Sequence, residues 1–178
     1  IDKETIGLML NASGQEFPDG IAFSGKGKSK TTLKIRGLHL ITDDVRRLTF
    51  EGMTIDCDHD GLFDKQNGAL TLSLTDVRFL RFASPSCTLF SVKDGLIVHA
   101  IGCDFLGYIG QWPTEGRLFG DSDALIGHFE NCLFTGFRND HLFPAVTQLW
   151  MDKCRFGEKW VGIADVEFEE CEVGRFPI

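Results

Sequence analysis

Four carboxylates crowd one short stretch, Asp56-Cys57-Asp58-His59-Asp60-Gly61-Leu62-Phe63-Asp64. Hard oxygen ligands converging from one loop, with a glycine at the sharp turn, are what a calcium ion requires. Asp56, Asp58, Asp60 and Asp64 are therefore the candidate metal ligands, and calcium is the one cofactor the composition suggests. Asn67 stands where a bidentate acid would close the shell, so the affinity expected is weak, on the order of 10⁻⁴ to 10⁻³ M. The plainer reading of the same residues is an acidic, solvated loop held by side-chain-to-backbone turns.

A second set of chemistry-bearing residues recurs along the chain: Glu51, Ser73, His99, His128, Trp150 and Glu167. Neighbouring His99 and His128 have the residue type for general acid-base work near neutral pH or for sharing a metal. Trp150 offers a flat ring on which a sugar could stack. A parallel set, Arg78, Asp104, Leu133, Arg155 and Glu172, contains the opposite charges Arg78 and Asp104, read as an exposed ion pair worth about 0 to 1 kcal/mol. If the protein is an enzyme, His99, His128, Asp104 and Arg78 are the residues expected near its centre. If it is a binding protein, the expected contacts are Trp150 and Glu167 with Trp112, Arg138 and His141, which come from the two longest and most functional-group-rich insertions.

These residues recur because the elements beneath them do. Val77, Cys103, Cys132, Cys154 and Cys171 form a column, each followed two places later by Phe79, Phe105, Phe134, Phe156 and Val173. Five places before the column stand Leu72, Val98, Gly127, Leu149 and Val166, and three places before it Leu74, Ala100, Phe129, Met151 and Phe168. Polar residues alternate with them, which is the period of two of a half-buried strand. A break follows at Thr75-Asp76, Ile101-Gly102, Glu130-Asn131, Asp152-Lys153 and Glu169-Glu170, and then alternation resumes. Each unit is two short strands meeting at a polar corner, and the loops between units vary in length. Constant cores joined by variable loops predict a solenoid, and the period of two makes it an all-β one.

Segments such as Ala124-Leu-Ile-Gly-His-Phe-Glu-Asn-Cys-Leu-Phe134 and Gly162-Ile-Ala-Asp-Val-Glu-Phe-Glu-Glu-Cys-Glu-Val173 resemble the right-handed parallel β-helices of the pectin-lyase-like superfamily. The resemblance covers roughly residues 33–178 and lies at the level of architecture. It implies a right-handed parallel β-helix of about six coils, and it favours an extracellular, periplasmic or cell-surface location. Polygalacturonase-like members carry Asn-Thr-Asp, Asp-Asp, Gly-His-Gly and Arg-Ile-Lys motifs. Here Gly127-His128-Phe129 echoes only part of the third, and Lys34-Ile35-Arg36 reverses the fourth. The acidic loop resembles the calcium loop of EF-hands in its first half alone, and the segment before it reads as a strand.

The 178 residues form a single domain, 1–178, with residues 1–32 as an N-terminal cap or first coil and 33–178 as the repeats. Leu48–Ile55 reads as an early coil, and Leu33–Leu40 as another face of the same turn. A net charge of −8 argues against nucleic acid as a general partner. The basic run Lys26, Lys28, Lys30, Lys34 and Arg36 reads as a solvated loop. No apolar run is long enough to span a membrane as a helix. Four of the six cysteines fall in one inward column and none forms a Cys-x-x-Cys pair, which predicts a buried ladder of free thiols. An inter-coil disulfide or a soft-metal site is the alternative. Cys57 and Cys87 are placed in loops.

Three function classes follow. The leading one is a non-catalytic module presenting a rigid binding face to a carbohydrate or a protein. The others are a polysaccharide lyase, hydrolase or epimerase, calcium-dependent or not, and a structural segment of a larger surface or virion fibre.

Overall fold

A computed structural model describes residues 20–35, 39–41, 43, 45–57, 61–80, 88–106, 117–120, 122–135, 147–156, 166–170 and 172–173. In chain order these form β1 (Gly20–Ser24), β2 (Thr32–Ile35), β3 (His39–Leu40), β4 (Arg47–Cys57), β5 (Gly61–Lys65), β6 (Leu70–Leu80), β7 (Thr88–Val92) and β8 (Leu96–Ile101). They continue as β9 (Asp104–Leu106), β10 (Arg117–Phe119), β11 (Leu125–Glu130), β12 (Leu133–Thr135), β13 (Thr147–Asp152), β14 (Arg155–Phe156), β15 (Val166–Glu169) and β16 (Glu172–Val173).

Every strand pairing is parallel, and the pairings define three faces. The first is the ladder β1, β4, β6, β8, β11, β13, β15. The second is β2, β4, β6, β9, β12, β14, β16. The third is β3, β5, β7, β10. The chain is an all-β parallel solenoid of about four turns. The six coils expected are rungs counted on the first two faces. A rung closes into a turn only where the third face follows it, and the described third face has four strands.

The inward columns read from the sequence are the core. Leu72, Val98, Leu149, Leu74, Ala100, Phe129 and Met151 are all buried, as are Val77, Cys103, Cys132 and Cys154. Side chains of one type stack from coil to coil because adjacent strands lie in register about 4.8 Å apart. Phe79, Phe105, Phe134 and Phe156 form one continuous stack, with ring centroids 5.3, 4.9 and 5.2 Å apart and planes within 9° of parallel. A second stack, Phe63, Phe90 and Phe119, lines the third face at 5.3 and 6.1 Å. The sequence reading missed it, because these phenylalanines sit on short strands between loops of unequal length.

The polar corner has one conformation throughout. Asp76, Asn131, Lys153 and Glu170 have φ between 48° and 52°, and Gly52 and Gly102 have 61° and 64°. One left-handed residue turns the chain from the first face to the second, and the αL cost of a non-glycine residue, about 1–2 kcal/mol, is accepted at four of these rungs.

The cysteine column has a physical reason at this corner. The Sγ of Cys103, Cys132 and Cys154 lies 3.4 Å from the carbonyl oxygen two residues earlier, respectively Ile101, Glu130 and Asp152. Cys132 and Cys154 also approach Ala100 and Phe129 carbonyls of the preceding coil at 3.5 and 3.4 Å. A thiol is small and apolar enough for the core yet still a weak donor to carbonyls that the turn directs inward. These three cysteines are free and buried. Cys132, in the middle, is pushed far above the ordinary thiol range by its hydrogen bonds with Cys103 and then Cys154, with burial adding to them. The same bond draws Cys103 down while burial opposes it. Burial is shared by all three and blocks approach of a reagent, so it governs reactivity. We expect Cys103, Cys132 and Cys154 to resist alkylation in the folded protein and to react together only in denaturant. Rapid native labelling of any of them, read by mass spectrometry, would contradict the ladder. Cys171 and Cys87 lie outside the described residues, and Cys57 ends strand β4, where it pairs with Ile35, and is not in a loop.

Candidate recognition face

Outward residues of the first face stand in three columns. Strand register aligns Thr49, Ser73, His99, His128, Trp150 and Glu167 as the central one. Glu51, placed in that column from the sequence, belongs instead with Thr75, Ile101, Glu130, Asp152 and Glu169. The error is one strand period of two residues: Glu51-Gly52 is the corner of this coil, as Ile101-Gly102 is of a later one, and the outward residue four places before its column residue Met53 is Thr49. The remaining column is Arg47, Thr71, Ile97, Ile126 and Gln148.

His99 and His128 stack face to face with ring centroids 5.3 Å apart and planes 20° from parallel. Trp150 meets His128 edge-on at 5.3 Å. Next to them a shallow cavity of about 170 Å³ is lined by these three rings with Ile101, Glu130 and Asp152. Gly127 lies beneath His128, and a side chain there would run into the Phe129 ring and Leu149. The glycine in the Gly-His echo is thus explained by core packing.

Around the imidazoles the face is aliphatic. Trp150 is 48% exposed, Ile101 49%, Ile126 38% and Ile97 37%, and these are the exposed large hydrophobics among the described residues. At the edge of the cavity Asp152 Oδ2 accepts from Lys153 Nζ at 3.0 Å, which holds the Lys153 ammonium above its ordinary range. Asp152 Oδ1 is buried and has no hydrogen-bond partner among the described residues. A buried acceptor without a donor is uncommon and calls for one.

Asp104 and Arg78 sit past the corner, on the second face. Arg78 Nε donates to Asp104 Oδ2 at 2.9 Å. Lys28 Nζ reaches Asp104 at 3.2 Å, Asp76 at 3.5 Å and the Gly102 carbonyl at 2.9 Å. Asp104 is only 15% exposed, so the pair expected on the surface is a partly buried cluster. Lys28, expected in a solvated loop, is its hub and ties the first coil to the third and fourth. The Lys28 backbone is held as well, its carbonyl accepting from the buried Thr54 hydroxyl at 2.5 Å.

Asp56 stands at the end of β4 on the second face and Asp64 on β5 of the third face, where it accepts from Gln66 at 2.6 Å. Half of the acidic stretch is therefore strand, since Phe63 and Lys65 point into the core and leave Asp64 outward. Asp58 and Asp60 lie outside the described residues, as do Trp112, Arg138 and His141. Glu167 is in register with Trp150 on β15. Among the described residues no group of three His, Cys, Asp or Glu side chains could hold a metal ion. No described helix is long and apolar enough to cross a membrane.

What fold and face define together is a parallel β-solenoid with one flat, aliphatic and imidazole-bearing side. Comparison with protein-family models, with curated proteins and with solved structures finds no match.

Proposed function

We propose that the protein is a non-catalytic recognition module, and that its ligand is a protein surface seated on the first face over His99, His128 and Trp150. The observation that carries this reading is the exposure of Ile97, Ile101 and Ile126 around the rings. A pyranose gains from an aromatic platform and from hydrogen-bonding groups, but it leaves a row of isoleucines wet. Another protein buries them, at roughly 25 cal/mol per Å² of apolar surface removed from water. The residues with hydrolytic potential support the reading from the other side, since Arg78 and Asp104 lie past the corner on the second face, where the Asp104 carboxylate is taken up by both Arg78 and Lys28.

Subtractive panning of a random peptide library tests it. Peptides should be enriched on the wild type and lost on a Trp150→Ala, Ile101→Ser variant of unchanged melting temperature. A glycan array and a depolymerisation screen run in parallel decide the alternatives. Retention of a polysaccharide would replace the protein ligand by a sugar, and release of reducing ends would make the protein an enzyme.

A further inference from the structure

We infer that the partner of the first face is a second copy of this chain, packed face to face about a twofold axis that runs along the solenoid over the central column. The inference rests on the reading of this face as a protein-binding surface.

A twofold axis above Thr49, Ser73, His99, His128 and Trp150 leaves each rung at its own height and exchanges the two flanking columns. Each flanking residue then meets the residue four places along its own strand, in the other copy. On β4 this sets Arg47 against Glu51, and, by symmetry, Glu51 against Arg47. On β8 it sets Ile97 against Ile101, on β6 Thr71 against Thr75, and on β13 Gln148 against Asp152. Charge meets opposite charge, apolar meets apolar and hydroxyl meets hydroxyl. On β11 Ile126 meets Glu130, whose long side chain can lay its methylenes on the isoleucine and keep its carboxylate at the rim. No other pairing of the columns gives this match. Turning the second copy end over end keeps the columns and reverses the five rungs, which sets Glu51 against Asp152, like charge against like charge.

The pattern has the self-complementarity that an isologous interface requires. Arg47, Glu51, Ile97, Ile101 and Gln148 are all exposed in the single chain, and the register neighbours of Arg47 and Glu51 are uncharged, Gly20 and Thr71 for the first, Ser24 and Thr75 for the second. Within one strand the two charges are four residues apart, about 13 Å, too far to satisfy each other. Five rungs about 4.8 Å apart and three columns about 6.8 Å apart give roughly 500 Å² on each copy. A total of about 1,000 Å² is at the threshold of a specific interface, so a weak, micromolar dimer is expected.

Sedimentation velocity of the purified chain at rising concentration tests the inference. The 19.9 kDa species should give way to one of twice its mass between about 1 and 300 μM. Arg47→Glu and Glu51→Arg should each weaken the dimer about tenfold or more, since each sets like charges opposite one another twice. The double variant Arg47→Glu, Glu51→Arg should restore it to near the wild-type constant. That rescue comes only from contact between the two positions across a twofold. A monomer at every concentration overturns the inference, as does a dimer in which the double variant is as weak as either single one. Monomeric behaviour with peptide binding that still depends on Trp150 overturns the dimer and leaves the recognition face in place. Monomeric behaviour with no such binding overturns both.

Discussion

Replacing Phe134 by alanine is expected to destabilise the fold by about 3–5 kcal/mol. Phe134 is 2% exposed. Its ring is stacked on Phe105 at 4.9 Å and Phe156 at 5.2 Å, and the edge of Phe129 closes the site at 5.4 Å. Backbone ladders above and below hold the neighbours in register, so the stack cannot collapse into the gap and the cavity persists. A domain of ordinary stability has about 5–15 kcal/mol in total, so much of it goes. The melting temperature should fall by roughly 6–20 °C, taking about 2–4 °C per kcal/mol for a chain of this size. His128→Ala, four residues before the Cys-Phe pair and on the opposite side of the sheet, loses only ring contacts at a surface and should cost no more than about 1 kcal/mol. Equal losses from the two variants in chemical denaturation would show that the inward and outward columns are reversed.

Gly25→Ala is expected to be the most damaging of the glycine substitutions, at about 3 kcal/mol, the upper end of what overpacking costs. A methyl group on Gly25 would run into the backbone oxygen of Gly52 and the side chain of Thr31. Backbone has nowhere to retreat there. Gly25 N donates to the Glu51 carbonyl and Gly27 N to the Gly52 carbonyl, both at 2.7 Å, and Gly52 itself turns the first corner with φ of 61°. The loop 25–31 thus presses onto the β4 corner, and from it Lys28 extends to the charged cluster on Asp104. Gly127→Ala is the useful contrast, since the obstacles there are the Phe129 ring and a Leu149 methyl group, side chains that can shift. Equilibrium unfolding in urea reads both. A Gly25→Ala variant as stable as Gly127→Ala would mean that the first coil is not packed on the corner in this way.

Fold class was legible because strand period and burial are local and repeated. Leu72, Leu74, Val77 and Phe79 alternate with Ser73 and Arg78, and four further copies repeat the pattern, so the inward columns, the corner and the thiol ladder all followed from the order of residues alone. Repetition is also why the error at Glu51 arose. Alternation has a period of two, so a residue displaced by one period still falls on an outward position, and pairing with β6 sets Glu51 beside Thr75 and Thr49 beside Ser73.

Long-range placement decided the rest. Lys28 lies far from Asp104 in sequence, and nothing near either residue marks them as partners; the solenoid brings them together because the first coil's loop folds over two corners. The third face, with Phe63, Phe90 and Phe119, was hidden by loops whose lengths differ from coil to coil. In the same way the acidic stretch divides between two faces, since Phe63 and Lys65 are drawn into the core and carry Asp64 away from the strand that holds Asp56. His99, His128 and Trp150 were singled out from residue type, but that they meet as rings, with isoleucines on both flanks and Arg47 and Glu51 symmetric about them, is a property of register. Hydrogen bonds between neighbouring strands set that register, and they are made between residues that the sequence alone leaves unpaired.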